Sequence, residues 1–185
     1  MRSDSGYFVA VMSTRYPAAT LALAVVAAAL SGCAPAPEPT PTPTPAFASE
    51  EEAFAAAEEV YRAYNEAGNA RIAGGSDPDP QDFLIGEALE ADIDGIRFLQ
   101  EEGLRLVGVN SLTSFTGVDA SGLDSEPTIS ARICLDGSGL HVRDANNADV
   151  TPQDREEVVA QLVTFVRVGD QLKITTESAA SAEEC

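Results

Sequence analysis

"TISARICLD", Thr128–Asp136, decides the fold. Ile129, Ala131, Ile133 and Leu135 alternate with Thr128, Ser130, Arg132 and Cys134, the period of two of a strand with one face buried. That alternation belongs to antiparallel sheets, which bury one side and wet the other. Cys134 falls on the face away from the apolar side, where a C-terminal tail can reach it. Downstream, "DGSGLHVRD" reads as a tight turn into a short strand. "EVVAQLVTFVRV" and "QLKITTES" read as strands joined at Gly169-Asp170, a Gly-first pair suited to a type II′ hairpin. Val158, Ala160, Leu162, Val166 and Val168 are expected on the inward face of the first, and Leu172, Ile174 and Thr176 on one face of the second. Upstream, "LRLVGVNSLTSF" (Leu104–Phe115) reads as one long strand.

Before Gly103 the period changes to that of a helix. "SEEEAFAAAEEVYRAYNEAG" opens with a capping box, Ser49 with Glu52, and Glu50–Glu52 suit the positive end of the helix dipole. Phe54, Ala57, Val60, Tyr61 and Tyr64 form one apolar stripe, and the helix is expected to stop near Ala67–Gly68. "GGSDPDPQ" (Gly74–Gln81) is a turn-rich break. A second helix is expected from about Phe83 to Glu102, with Leu84, Ala88, Ile93, Ile96 and Leu99 inward. Helices first and consecutive strands after imply an α+β fold, N-terminal helices packed on a curved antiparallel sheet of four to five strands.

The chain of 185 residues carries 30 acidic and 11 basic side chains, a formal net charge of −19. Nucleic-acid affinity comes largely from Lys and Arg releasing counterions, so nucleic acid is excluded as a partner. Ala18–Leu30, "AATLALAVVAAAL", has no charge but rises only about 20 Å as a helix, short of the roughly 30 Å hydrocarbon core. It suits the apolar region of a secretory signal, normally preceded by a short basic region. Counted from Met12 that region is "MSTRYP", short and basic, so Met12 is the expected start. After it, Pro35, Pro37, Pro39, Pro41, Pro43 and Pro45 enforce extended geometry, a semi-rigid spacer of roughly 40 Å. Thr40, Thr42 and Thr44 are candidate O-glycosylation sites, with an unmodified linker as the alternative.

"LSGC" (Leu30, Ser31, Gly32, Cys33) resembles the bacterial lipobox, and the chain resembles a bacterial lipoprotein precursor of actinobacterial type. The resemblance implies cleavage between Gly32 and Cys33, and a diacylglycerol on the Cys33 sulfur. A lipid anchor of two acyl chains would then hold the protein stably at the extracytoplasmic face of the cell membrane. The expected domains are a signal peptide at 1–32, the lipidated cysteine and Pro/Thr-rich linker at 33–46, and one folded domain at 47–185. With Cys33 acylated, Cys134 and Cys185 remain in an oxidising compartment, where a disulfide would staple the tail "SAASAEEC" to the domain. Two free thiols or an intermolecular bridge are the alternatives. No CxxC motif and no Cys/His cluster suggests zinc.

The order of helices and strands resembles the nuclear-transport-factor-2-like or cystatin-like cone, which includes ketosteroid-isomerase-like and polyketide-cyclase-like proteins. Between Glu50 and Glu177, "ICLDGSGLHVRDANNADV" and "VTFVRVGDQLKI", with the final Cys185, carry that likeness. In cone-fold enzymes a pocket between helix and sheet holds a base and an oxyanion donor such as tyrosine. Tyr61 and Tyr64 could donate, yet the expected inward strand positions include no acid, so both read as core residues with hydroxyls at the rim. His141 lacks a sequence partner that would make it a base. Gly137-Ser138-Gly139 lacks the spacing of a nucleophile elbow and reads as a turn. Asp77, Asp79 and Asp82, with Asp92 and Asp94, cluster carboxylates of the kind calcium takes, but read as solvated surface. The run from Asp144 through Asn146, Ala148 and Asp149 ends at Arg155, where an EF-hand needs Glu. The expectation is a lipid-anchored, non-enzymatic binding or interaction module without cofactor or metal, taking an envelope protein partner or a small apolar ligand. A pocket enzyme of isomerase or cyclase type, and an accessory or sensor subunit of a membrane complex, are the rivals.

Overall fold

The computed structural model describes residues 46–185. The expected signal peptide, the Gly32–Cys33 cleavage and lipidation site and nearly all of the proline linker lie outside the described residues. Within them, two α-helices pack on an antiparallel sheet in an α+β fold. The helices are α1 (Glu50–Ile72) and α2 (Gly86–Glu101). The strands are β1 (Arg105–Gly108), β2 (Ser111–Ser121), β3 (Thr128–Asp136), β4 (Leu140–Arg143), β5 (Val158–Val168) and β6 (Gln171–Ala180). A four-stranded sheet has the order β2-β3-β5-β6, and β1 pairs with β4 in a separate two-stranded sheet.

Helix α1 begins as its cap dictates. The Ser49 hydroxyl accepts from the Glu52 amide at 3.2 Å, and the Glu52 carboxylate accepts from the Ala48 amide at 2.7 Å. It runs past the expected stop at Gly68, whose helical backbone needs no left-handed turn. Tertiary contacts hold the extra turn: the Asn69 amide group clasps the Asn110 backbone N–H and C=O, each at 2.8 Å, and Arg71 pairs with Asp92. Ala53 and Ala57 lie fully buried against the sheet, where small side chains let the helix approach closely.

The second helix starts later than the periodicity suggests. Pro80–Phe83 is a short 3-10 turn, with Asp79 accepting from the Gln81 amide at 3.0 Å. Leu84 then bridges in parallel to Ile174, and the Ile85 amide donates to the Ile174 carbonyl at 2.9 Å. Of the expected inward set, Leu84 and Ala88 are buried, but Ile93 is exposed. The partly buried stripe runs through Asp92, Ile96 and Leu99, one position off Ile93, because a charged residue occupies an inward place.

The single strand expected over Leu104–Phe115 is two. The chain breaks at Gly108, where φ is 102° and a Cβ would stand 1.9 Å from the Gly139 carbonyl oxygen. Only glycine satisfies both conditions. Strand β3 keeps its expected faces, with Ile129, Ala131, Ile133 and Leu135 buried. Strand β5 reverses them. Its inward residues are Val159, Gln161, Val163 and Phe165, opposite Leu135, Ile133, Ala131 and Ile129 of β3, while Val158, Leu162 and Val168 are exposed. Both faces of β5 are apolar, so its partner's register decides. On β6, Leu172 and Ile174 are buried as expected. A register shift then leaves Thr175 unpaired, and Glu177 stands opposite Val163 where continued alternation predicts Thr176 to face inward.

Candidate functional site

That bulge on β6 creates the site. A recess of about 160 Å³ opens between α1 and the inner face of the sheet, lined by Tyr61, Tyr64, Asn65, Asn69, Gln161 and Glu177 among others. The Tyr61 hydroxyl lies 3.1 Å from Gln161 Oε1 and 3.4 Å from Glu177 Oε1. The Tyr64 hydroxyl donates to Glu177 Oε2 at 3.3 Å. The two rings stand edge to face, centroids 5.6 Å apart, and Tyr61 also meets Phe165 edge-on. Tyr61 is 1% exposed. The tyrosines are therefore core residues with their hydroxyls at the rim of a recess, as expected, but the carboxylate beside them corrects the expectation that no acid faces inward. Strict alternation from Leu172 sends Glu177 outward, and nothing in "QLKITTES" signals the bulge.

Burial pushes the Glu177 carboxyl above its ordinary pKa, against the pull of the hydrogen bonds from Tyr64 and Tyr61, and the nearby Asp92 charge pushes the same way. Burial, followed by the Glu177 charge, pushes both phenols up as well, so they stay neutral donors. At the side of the recess Arg71 grips Asp92 through two nitrogens, at 2.9 and 2.5 Å. Gln81 Nε2 donates to the same carboxylate at 3.0 Å. Burial would raise the Asp92 carboxyl, but the Arg71 and Gln81 hydrogen bonds and the Arg71 charge outweigh it and hold it low. The Arg71 guanidinium is held fully charged, chiefly by its hydrogen bond with Asp92.

A second, larger groove of about 660 Å³ lies over α1 and the β5–β6 turn. Phe47, Val60, Phe83 and Leu172 line it, with Glu59, Asp82, Asp170 and Lys173 at its edges. The Lys173 ammonium donates to the Asp82 backbone carbonyl.

The remaining sequence candidates are dispersed. His141 does have a partner: its Nδ1 lies 3.2 Å from Asp149 Oδ2, but both side chains are at least 40% exposed. Asp149 also meets Arg143 and the Thr151 hydroxyl. Ser138 sits in a turn whose amide donates to Asp136 Oδ1 at 2.8 Å. Asp144 accepts from the amides of Asn146 and Ala148, a tight local turn. Asp94 pairs with Arg97 at 2.6 Å. Among the described residues no three His, Cys, Asp or Glu side chains gather as a metal would require. The sulfurs of Cys134 and Cys185 lie at bonding distance, with Cα atoms 5.7 Å apart. Cys134 is on the outer face of β3 beside Ala160, and both are buried.

No helix among the described residues is long and apolar enough to cross a membrane. No protein-family model matches the chain, and no curated protein matches it. Among solved structures it is similar to the intermembrane-space region of the chloroplast protein ARC6, at 15% identity over 69% of this chain and 96% of that one, with a TM-score of 0.47.

Proposed function

We propose that this protein is a bacterial lipoprotein anchored through Cys33 at the extracytoplasmic face of the cell membrane, carrying a non-enzymatic binding module on its proline stalk. The address rests on the register of apolar run, "LSGC" and linker. The module is a domain of the nuclear-transport-factor-2-like cone type, and its ligand site is the recess between α1 and the sheet. The observation that favours binding over catalysis is the occupation of both Glu177 oxygens by the hydroxyls of Tyr61 and Tyr64. A pocket enzyme with this set would use Glu177 as base and a phenol as oxyanion donor. Here the phenols serve the carboxylate itself, and the recess holds only a few atoms beyond them.

The experiment is to express the whole chain in a bacterial host fed an alkyne-tagged fatty acid, beside Cys33→Ala. The native sequence is expected to take the label and partition into detergent, and Cys33→Ala to lose both. Label on Cys33→Ala, or none on the native chain, contradicts the anchor. An isomerase or cyclase activity abolished by Glu177→Gln contradicts the binding role.

A further inference from the structure

We infer that the recess beside Glu177 binds a small organic ammonium ion. The inference rests on the binding role proposed above and names the chemistry of the ligand. The partners of the Glu177 carboxylate carry it. Asn65 and Asn69 each direct one Nδ2 proton to the Asn110 carbonyl, at 3.1 and 2.8 Å. The Tyr61 hydroxyl has one proton for two acceptors, Gln161 Oε1 and Glu177 Oε1, and the Tyr64 proton goes to Glu177 Oε2. Glu177 receives only two long bonds, at 3.4 and 3.3 Å, from neutral groups.

Charge points the same way. A carboxylate drawn out of water is normally paired with a cation. Among the described residues no Lys, Arg or His forms an ion pair with Glu177, and the neighbouring Arg71 is held through two nitrogens by Asp92. The space suits a small guest: 160 Å³ is the share of about five waters. An ammonium group brings the missing charge and up to three N–H donors on a compact head. An anion would meet Glu177 unscreened, and a neutral amide would leave the charge unpaired.

The groups facing Glu177 are Tyr61, Tyr64 and Arg71 from α1, Asp92 from α2 and the neutral Gln161 from β5. The phenols stay neutral, Arg71 stays charged and Asp92 is held low, so acidification discharges Glu177 before its neighbours.

The test titrates the mature exported chain, in detergent micelles, with methylammonium chloride, following the Asn65 and Gln161 side-chain amides by NMR. Sodium chloride at equal ionic strength and acetamide are the controls. The expected result is a saturable shift with methylammonium alone, weakened about tenfold or more in Glu177→Gln, the worth of one charge-assisted contact. It should also fade as Glu177 is protonated. Gly68→Leu is the second variant: Gly68 lines the recess, a Cβ there meets nothing within 4 Å, and the larger side chain should block binding while leaving the charge in place. No saturable shift, an equal response to acetamide or sodium, or unchanged binding in a folded variant overturns the inference. Acylation of Cys33 is read separately, so loss of the ammonium site and loss of the anchor are distinguishable.

Discussion

At Glu177 the folded chain holds a proton more tightly than the unfolded chain, because burial raises the carboxyl above 4.5. Stability contributed by this group is therefore present at acid pH and lost as pH rises from that value through the folded one. Glu177→Gln removes the titration. The urea stability of the variant relative to the native chain is expected to increase with pH across that window; a difference that shrinks instead contradicts the placement of the carboxylate. Gly117 makes a different demand. A Cβ there would lie 2.5 Å from the Phe54 ring, so α1 rests on bare backbone at that point. Gly117→Ala is expected to destabilise by about 1–2 kcal/mol as the ring is displaced. Denaturant unfolding measures it, and an unchanged midpoint contradicts the contact.

Helix α1 reaches Ile72 because of what its last turn touches, and the same contacts tie it to Pro80–Phe83 and α2. Asp92 joins all three, accepting from Arg71 and Gln81. Its carboxyl is held low, so its contribution is present above 3.8 and lost as pH falls through the folded value. Asp92→Asn is expected to cost about 1–2 kcal/mol near neutral pH. Circular dichroism and urea unfolding should show the loss shrinking in acid; a constant loss contradicts the ion pair. What the sequence made legible follows from patterning. The Ser49 cap, the Ala57–Tyr61 stripe and the alternation of β3 each specify one answer, and each is found. Strand β5 is apolar on both faces, so its inward side awaited pairing with β3. The Gly108 break and the Thr175 bulge depend on neighbours distant in the chain, and Glu177 was hidden with the bulge. The acid of the site therefore could not be read, although its tyrosines could.

For the whole molecule, the tail from Ser181 folds back so that Cys185 meets Cys134 across 51 residues. Closing a loop of that length restrains the unfolded chain by up to about 4 kcal/mol on the chain-entropy account. Reduction, or the paired change of Cys134 and Cys185 to Ser, is expected to lower unfolding stability by about 2–4 kcal/mol. Calorimetry of both forms decides it, and equal stability contradicts a structural bridge. The third sulfur, that of Cys33, carries the proposed anchor. On the proposed reading, the apolar run, Cys33 and the alternating prolines would hold a folded domain of net acidic character on a lipid-anchored stalk. Intact-mass spectrometry of the chain recovered from the envelope of a bacterial host tests this most directly. The account predicts a first residue Cys33 bearing a diacylglycerol mass. A chain that begins elsewhere, or a Cys33 without acyl mass, contradicts it.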